Sequence, residues 1–144
     1  MHHSIRAAFF AGLAVWIALG CGGTSGSRKV TVKGKLLEGA NPFILDTAML
    51  KLPPGTSLPP GTNPIQITFI PAEAGESAPA TVDAATGTFS VSLVPGKYKV
   101  AITASAGMAS PDFFGGKYSS DKTQIRRDVK EGDEIAIDIT KPQG

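Results

Sequence analysis

The sequence predicts an all-β fold, seven short antiparallel strands packed as a sandwich, following an apolar N-terminal leader. Three observations carry this. Apolar residues recur with period two in one run after another, the mark of strands with one buried face. Gly and Pro make up about a fifth of the chain (17 and 11 of 144 residues) and stand between those runs, where they read as turns. Beyond residue 28 no long stretch shows the 3.6-residue apolar period of an amphipathic helix, and short strands divided by turns pack as antiparallel layers.

The leader comes first. Arg6 precedes residues 7–20, Ala-Ala-Phe-Phe-Ala-Gly-Leu-Ala-Val-Trp-Ile-Ala-Leu-Gly, which carry no charge. A basic start, an apolar run and small residues before a cut site describe an export signal. The run is shorter than the roughly 18–20 apolar residues of a spanning helix. The single cysteine, Cys21, directly follows Gly20, an arrangement that resembles the lipobox of bacterial lipoproteins, although Ala18 holds the place where that pattern usually has leucine. The expected organisation is a lipoprotein signal peptide at 1–20, then a lipidated Cys21 with a Gly/Ser-rich tether over 21–28. A sandwich follows at 29–141 with a Pro-rich insertion at 38–64. Two other outcomes fit the same residues: an uncleaved anchor helix, or an ordinary signal peptide cut near Gly20 that leaves a free thiol. Two or three acyl chains on Cys21 would anchor the chain durably to a membrane. Gly22 after the cysteine favours the outer over the inner membrane under the enterobacterial sorting rule.

Cleavage at Cys21 would remove Arg6 and both histidines, His2 and His3, leaving a near-neutral exported chain without histidine. That excludes a Ser-His-Asp triad, a histidine metal site and imidazole acid–base chemistry. It also provides no basic footprint for nucleic acid. A lone cysteine permits no internal disulfide.

The strands follow in order. Residues 29–37 place Val30, Val32 and Leu36 on one face, with Gly34 read as a bulge. Residues 65–70 place Ile65, Ile67 and Phe69 likewise. A short strand at 80–83 turns through Ala84, Ala85, Thr86 and Gly87 into 88–93, where Phe89, Val91 and Leu93 face in. Val94-Pro95-Gly96-Lys97 has the residues of a type II turn, proline at its second position and glycine at its third. Tyr98, Val100 and Ile102 alternate next. A weaker strand spans 124–130. Glu131-Gly132-Asp133 then turns the chain into 134–140, whose Ile135, Ile137 and Ile139 form the cleanest alternating face.

Two segments break this rhythm. Residues 38–64 hold the apolar cluster Phe43, Ile44 and Leu45, a helical turn at 46–51, and a repeat, Leu-Pro-Pro-Gly-Thr at 52–56 and again at 58–62. Paired prolines favour polyproline II, which an aromatic groove can recognise, or a stiff loop capping the sandwich. Residues 105–122 contain Met108, Phe113 and Phe114 before Gly115-Gly116-Lys117-Tyr118. Phe113, Phe114 and Tyr118 are the candidate partner-binding residues, since rigid aromatics give contact area at low entropic cost. Equally, one phenylalanine could tuck under the loop and close the core.

Several motifs in sequence order, Val32-Lys33-Gly34-Lys35-Leu36, Ile67-Thr68-Phe69-Ile70-Pro71, Thr81-Val82-Asp83 with Gly87-Thr88-Phe89, and Val94-Pro95-Gly96-Lys97-Tyr98-Lys99-Val100, together resemble the carboxypeptidase regulatory-like, transthyretin-like sandwich domains. Lys117-Tyr118, Thr123, Val129, Gly132 and residues 135–139 resemble the small lipoproteins of that type in planctomycete-type bacteria. The resemblance implies a seven-stranded Greek-key sandwich acting as a non-catalytic accessory or binding module. One transthyretin-like branch hydrolyses 5-hydroxyisourate with histidines, an arginine and a C-terminal Tyr-Arg-Gly-Ser signature. The present chain ends Lys141-Pro142-Gln143-Gly144, so that activity is not expected. Asp112, Asp121 and Asp128 are scattered, Asp133 with Glu134 lies at a strand start, and Asp83 suits a hairpin turn better than a calcium ion. Arg126 and Arg127 suit a solvated edge strand better than an anionic partner. The expectation is therefore a non-enzymatic envelope lipoprotein with no cofactor, bound to a membrane through Cys21. Its partner would be an envelope protein or glycan. The alternatives are a purely structural lipoprotein packed beside a neighbour and, ranked below it, a metal-dependent or enzymatic module.

Overall fold

The computed structural model describes residues 28–141 apart from 51, 53, 108 and 109. The expected signal peptide, Cys21, the tether up to residue 27 and Met108 lie outside the described residues. The fold is all-β. Its strands are β1 (Val30–Glu38), β2 (Asn41–Pro42), β3 (Ile65–Pro71), β4 (Ala78–Asp83), β5 (Thr88–Leu93), β6 (Gly96–Ala104), β7 (Arg126–Val129) and β8 (Glu134–Asp138). The helical turn expected at 46–51 is a single 3-10 turn at Thr47–Met49. Seven strands are the expected ones with shifted ends; β2 is a two-residue addition that folds back on the end of β1.

The strands join in the order β2-β1-β5-β4-β3-β6-β7, with β8 alongside β1. Every ladder is antiparallel except β1–β8, which is parallel. The sequence does not show this exception, because alternation marks a strand's buried face and not the direction of its neighbour. β4 divides its pairing: Ala78, Pro79 and Ala80 pair with β3, and Thr81, Val82 and Asp83 with β5. The sheet bends there and curls into a half-barrel around one core. The Phe69 ring on β3 lies 6.0 Å from the Phe89 ring on β5, across strands that are not neighbours. Leu36 and Ile137 in one arm and Phe69, Val100 and Ile102 in the other are fully buried. Each such side chain contributes roughly 1.5–3 kcal/mol relative to an exposed one.

Two local expectations are corrected. Gly34 makes no bulge, since Lys33, Gly34 and Lys35 pair in unbroken register with Ser90, Phe89 and Thr88. The glycine faces inward, and a Cβ there would stand 2.3 Å from Phe89 Cζ; the missing side chain is space for that ring. Val94 to Lys97 is not a type II turn. Gly96 has φ 157°, far from the roughly +80° such a turn requires at its third position, and is already part of β6. β5 and β6 share no ladder, so Val94 and Pro95 form a corner between the two arms. The Tyr98 hydroxyl donates to the Val94 carbonyl at 2.6 Å and holds that corner. The β4–β5 hairpin behaves as expected: the Asp83 carboxylate accepts from the Ala85 N–H at 3.0 Å, and Gly87 takes φ 68°.

Candidate functional site

Lys29 leads into β1 at one pole. From Val30, β1 runs eight residue steps, about 26 Å at strand rise, and ends at Glu38 beside the opposite pole. There the insertion after β1 and the loop after β6 meet, which their separation in sequence gives no reason to expect. Phe43 of the insertion is buried, and its N–H donates to the Leu36 carbonyl at 2.8 Å. Gly87 permits this close approach: a Cβ there would stand 2.6 Å from the Phe43 carbonyl oxygen. The Phe43 ring centroid lies 6.3 Å from that of Phe113 and 5.6 Å from that of Phe114. Phe113 and Phe114 meet edge to face at 5.3 Å, and Phe114 and Tyr118 at 5.2 Å. Lys117 Nζ sits 5.0 Å from the Tyr118 ring centre.

Asp112 braces this loop. One carboxylate oxygen accepts from the Ala104 N–H and the other from the Gly116 N–H, both at 2.8 Å. The Phe113 N–H returns a bond to the Ala104 carbonyl at 2.6 Å. Farther along, the Ile102 N–H donates to the Tyr118 carbonyl at 2.9 Å and the Val100 N–H to the Ile125 carbonyl at 3.1 Å. The buried Thr123 hydroxyl donates to the Val100 carbonyl at 2.6 Å. The loop thus satisfies the edge of β6 that β7 is too short to cover, and an uncovered edge would attract other strands.

The three predicted contact residues divide. Phe113 is 40% exposed, Phe114 is partly buried against the core, and Tyr118 is buried, its hydroxyl donating to the Ile139 carbonyl. Tyr118 therefore supports the surface from beneath and offers a partner no ring face. Ile44 and Met49, 54% and 55% exposed, join Phe113 as the large exposed apolar side chains of the described residues, all three on the two irregular segments. The repeat does not continue as polyproline II. Thr62 N–H donates to the Pro59 carbonyl at 3.1 Å with Gly61 at φ 80°, a type II turn with Pro60 at its second position. Gly55 repeats the same φ, and Leu52 and Leu58 pack against the core.

Arg126 bonds to the carbonyls of Thr123 and Ile125, and Arg127 reaches across to β8. Among the described residues no group of three His, Cys, Asp or Glu side chains is placed to hold a metal ion, and no helix is long and apolar enough to cross a membrane. A cleft of 760 Å³ lies at the Lys29 pole, and a shallower hollow of 460 Å³ lies over β1, β4 and β5.

No protein-family model matches the chain, and no curated protein matches it. Among solved structures the chain is similar to the crystal structure of a DUF3823 family protein from Parabacteroides merdae, at 14% identity and a TM-score of 0.41. The match covers 76% of this chain and 45% of that one, so the chain spans less than half the length of that protein. A likeness this distant assigns no function.

Proposed function

We propose that the chain is a non-catalytic, lipid-anchored module of the bacterial cell envelope, a transthyretin-like Greek-key sandwich that holds an envelope protein or glycan through its Phe113 pole. The exposed Phe113 ring, packed edge to face on Phe114 and tilted against Phe43, in a loop braced by Asp112, carries the reading. A braced aromatic needs little ordering on binding, and that ordering cost commonly limits affinity. The pole lies at the far end of β1 from Lys29, so a lipid on Cys21 and a tether over 21–28 would present it away from the membrane. Gly22 favours the outer membrane as the site of attachment.

The test is in-cell crosslinking and affinity capture from the native envelope with wild type and Phe113→Ala. Loss of at least about tenfold in captured partner is expected for a central aromatic contact, with the fold retained and thermal stability lowered only by the lost packing on Phe43 and Phe114. Undiminished capture of one neighbour would instead mean a structural lipoprotein that packs beside it. Mass spectrometry of the mature N-terminus tests the acyl chains on Cys21 separately.

A further inference from the structure

Strands β7 and β8 follow one another through a tight turn, in which the Asp133 carboxylate accepts from the Lys130 N–H at 2.7 Å. Among the described residues no ladder joins them; β7 pairs with β6, and β8 with β1. The registers show which backbone groups this leaves over. The Val100 N–H donates to the Ile125 carbonyl, so Arg127, two residues on, also turns its backbone groups to β6, while Arg126 and Asp128 turn theirs outward. On β8 the Ile139 N–H donates to the Leu37 carbonyl. Ile135 and Ile137 therefore bond toward β1, and the backbone groups of Glu134 and Ala136 point away from it. Two open strand edges thus flank one seam. The Arg127 guanidinium bridges them, Nη1 donating to the Arg126 carbonyl at 2.7 Å and Nη2 to the Ala136 carbonyl at 3.0 Å.

We propose that this seam is a latent edge for pairing with a second copy of the chain, and that Arg127 keeps it closed. Charge explains why the two strands do not zip into a hairpin of their own. The shared guanidinium sets Arg126 level with Ala136, and antiparallel strands then bring Asp128 level with Glu134. Like charges directly opposite one another destabilise a ladder. Within one chain the turn at 130–133 fixes that register. Between two chains the register is free. β8 of one copy, moved two residues along β7 of another, sets Arg126 opposite Asp138 and Asp128 opposite Ala136, so opposite charges meet and no like pair is left. Ala136 is also the uncharged residue between Glu134 and Asp138 on the β8 edge, where charge would otherwise deter pairing. The guanidinium covers the carbonyl at this gap, bonding it as an incoming N–H would. None of these contacts involves Phe113, and the pairing stands apart from the function proposed for that pole.

The test is sedimentation velocity and amide exchange on the exported chain over a series of protein concentrations. Arg127→Met keeps the apolar stem and removes the fork, Arg127→Ala removes both, and either decides the outcome if the other does not fold. Each variant is expected to sediment as a dimer or larger species as concentration rises. Exchange at the Ala136 N–H should slow by about tenfold or more over the same series, while in wild type it stays independent of concentration. Adding Ala136→Pro should return the variant to a monomer, because proline deletes an outward N–H that the β1 ladder does not use. Asp128→Pro, on the β7 side, should act alike. A folded Arg127 variant that stays monomeric throughout would overturn the proposal. So would association that survives both prolines, or wild type that associates at Ala136 as readily as the variants.

Discussion

The Arg127 guanidinium on β7 donates to the Ala136 carbonyl on β8 at 3.0 Å, joining strands that lie at opposite ends of the sheet path. The two strands are consecutive in sequence, yet β7 pairs with β6 and β8 with β1. The side chain spans a seam that no ladder crosses. Desolvation lowers the Arg127 pKa from its ordinary value, but arginine stays charged throughout the usable pH range. A charge-assisted bond of this kind, partly open to water, is worth about 1–2 kcal/mol. Arg127→Ala should lower the urea midpoint accordingly. Arg127→Lys should recover little, since an ammonium lacks the planar fork. A midpoint unchanged by Arg127→Ala would show that the seam holds without the clasp.

Gly34 should not tolerate even one added carbon. A Cβ at this position meets Phe89 Cζ at 2.3 Å and the Ile135 carbonyl oxygen at 2.5 Å. Gly34→Ala is expected to cost about 3 kcal/mol, at the upper end of overpacking. Adding Phe89→Leu should recover only part, because the clash with the β8 backbone remains. Equilibrium denaturation of the two variants checks both statements, and full recovery would sink the second.

Asp112 gives the Phe113 loop its shape through bonds to the Ala104 and Gly116 N–H groups. Asp112→Ala should destabilise the fold by about 2–3 kcal/mol, the scale of bonds to a charged group that leave backbone donors unpaired. It should also weaken the near-ultraviolet circular dichroism of the cluster around Tyr118. Amide exchange at Ala104 and Gly116 should accelerate. A loop that keeps its exchange protection without the carboxylate would disprove the brace.

Asp138 makes stability depend on acid. Its carboxylate accepts from the Thr140 hydroxyl at 2.7 Å, the Thr140 N–H at 2.8 Å and the Gly39 N–H at 3.0 Å, and these bonds hold its pKa below the ordinary carboxylate value. The folded state therefore binds its proton less readily than the unfolded chain. This contribution is complete above the unfolded carboxylate pKa near about 4 and is lost as pH falls through the lower folded value. Between about pH 5 and about pH 2, wild type should lose more stability than Asp138→Asn. Parallel pH profiles for the two proteins would contradict this.

Strand positions were legible because period-two alternation is a local signal. Val30, Val32 and Leu36, Phe89, Val91 and Leu93, and Ile135, Ile137 and Ile139 all face the core as the alternation indicates. The Asp83 turn was legible for the same reason, its bonds closing within four residues. Gly34 was misread because a bulge and a missing side chain under an aromatic ring look identical in sequence; only the position of Phe89 distinguishes them. Pro95-Gly96 was misread because turn residues do not reveal whether the flanking strands pair. At the candidate site Phe113 and Phe114 were visible as adjacent aromatics. Phe43 as their floor and Asp112 as their brace were not, since roughly 70 residues separate Phe43 from the loop and an aspartate in a loop carries no mark of its partners.

The sequence by itself determined an all-β chain, most of its strands and inward faces, and the two irregular segments that carry its exposed apolar side chains. Tertiary structure alone decided the parallel placement of β8 on β1, the division of β4 between two neighbours and the Arg127 seam. It also brought the two irregular segments together at one pole. The physical reason is range. Alternation and turn chemistry act over a few residues, whereas choosing which edges pair requires the whole set of buried faces to close around a single core.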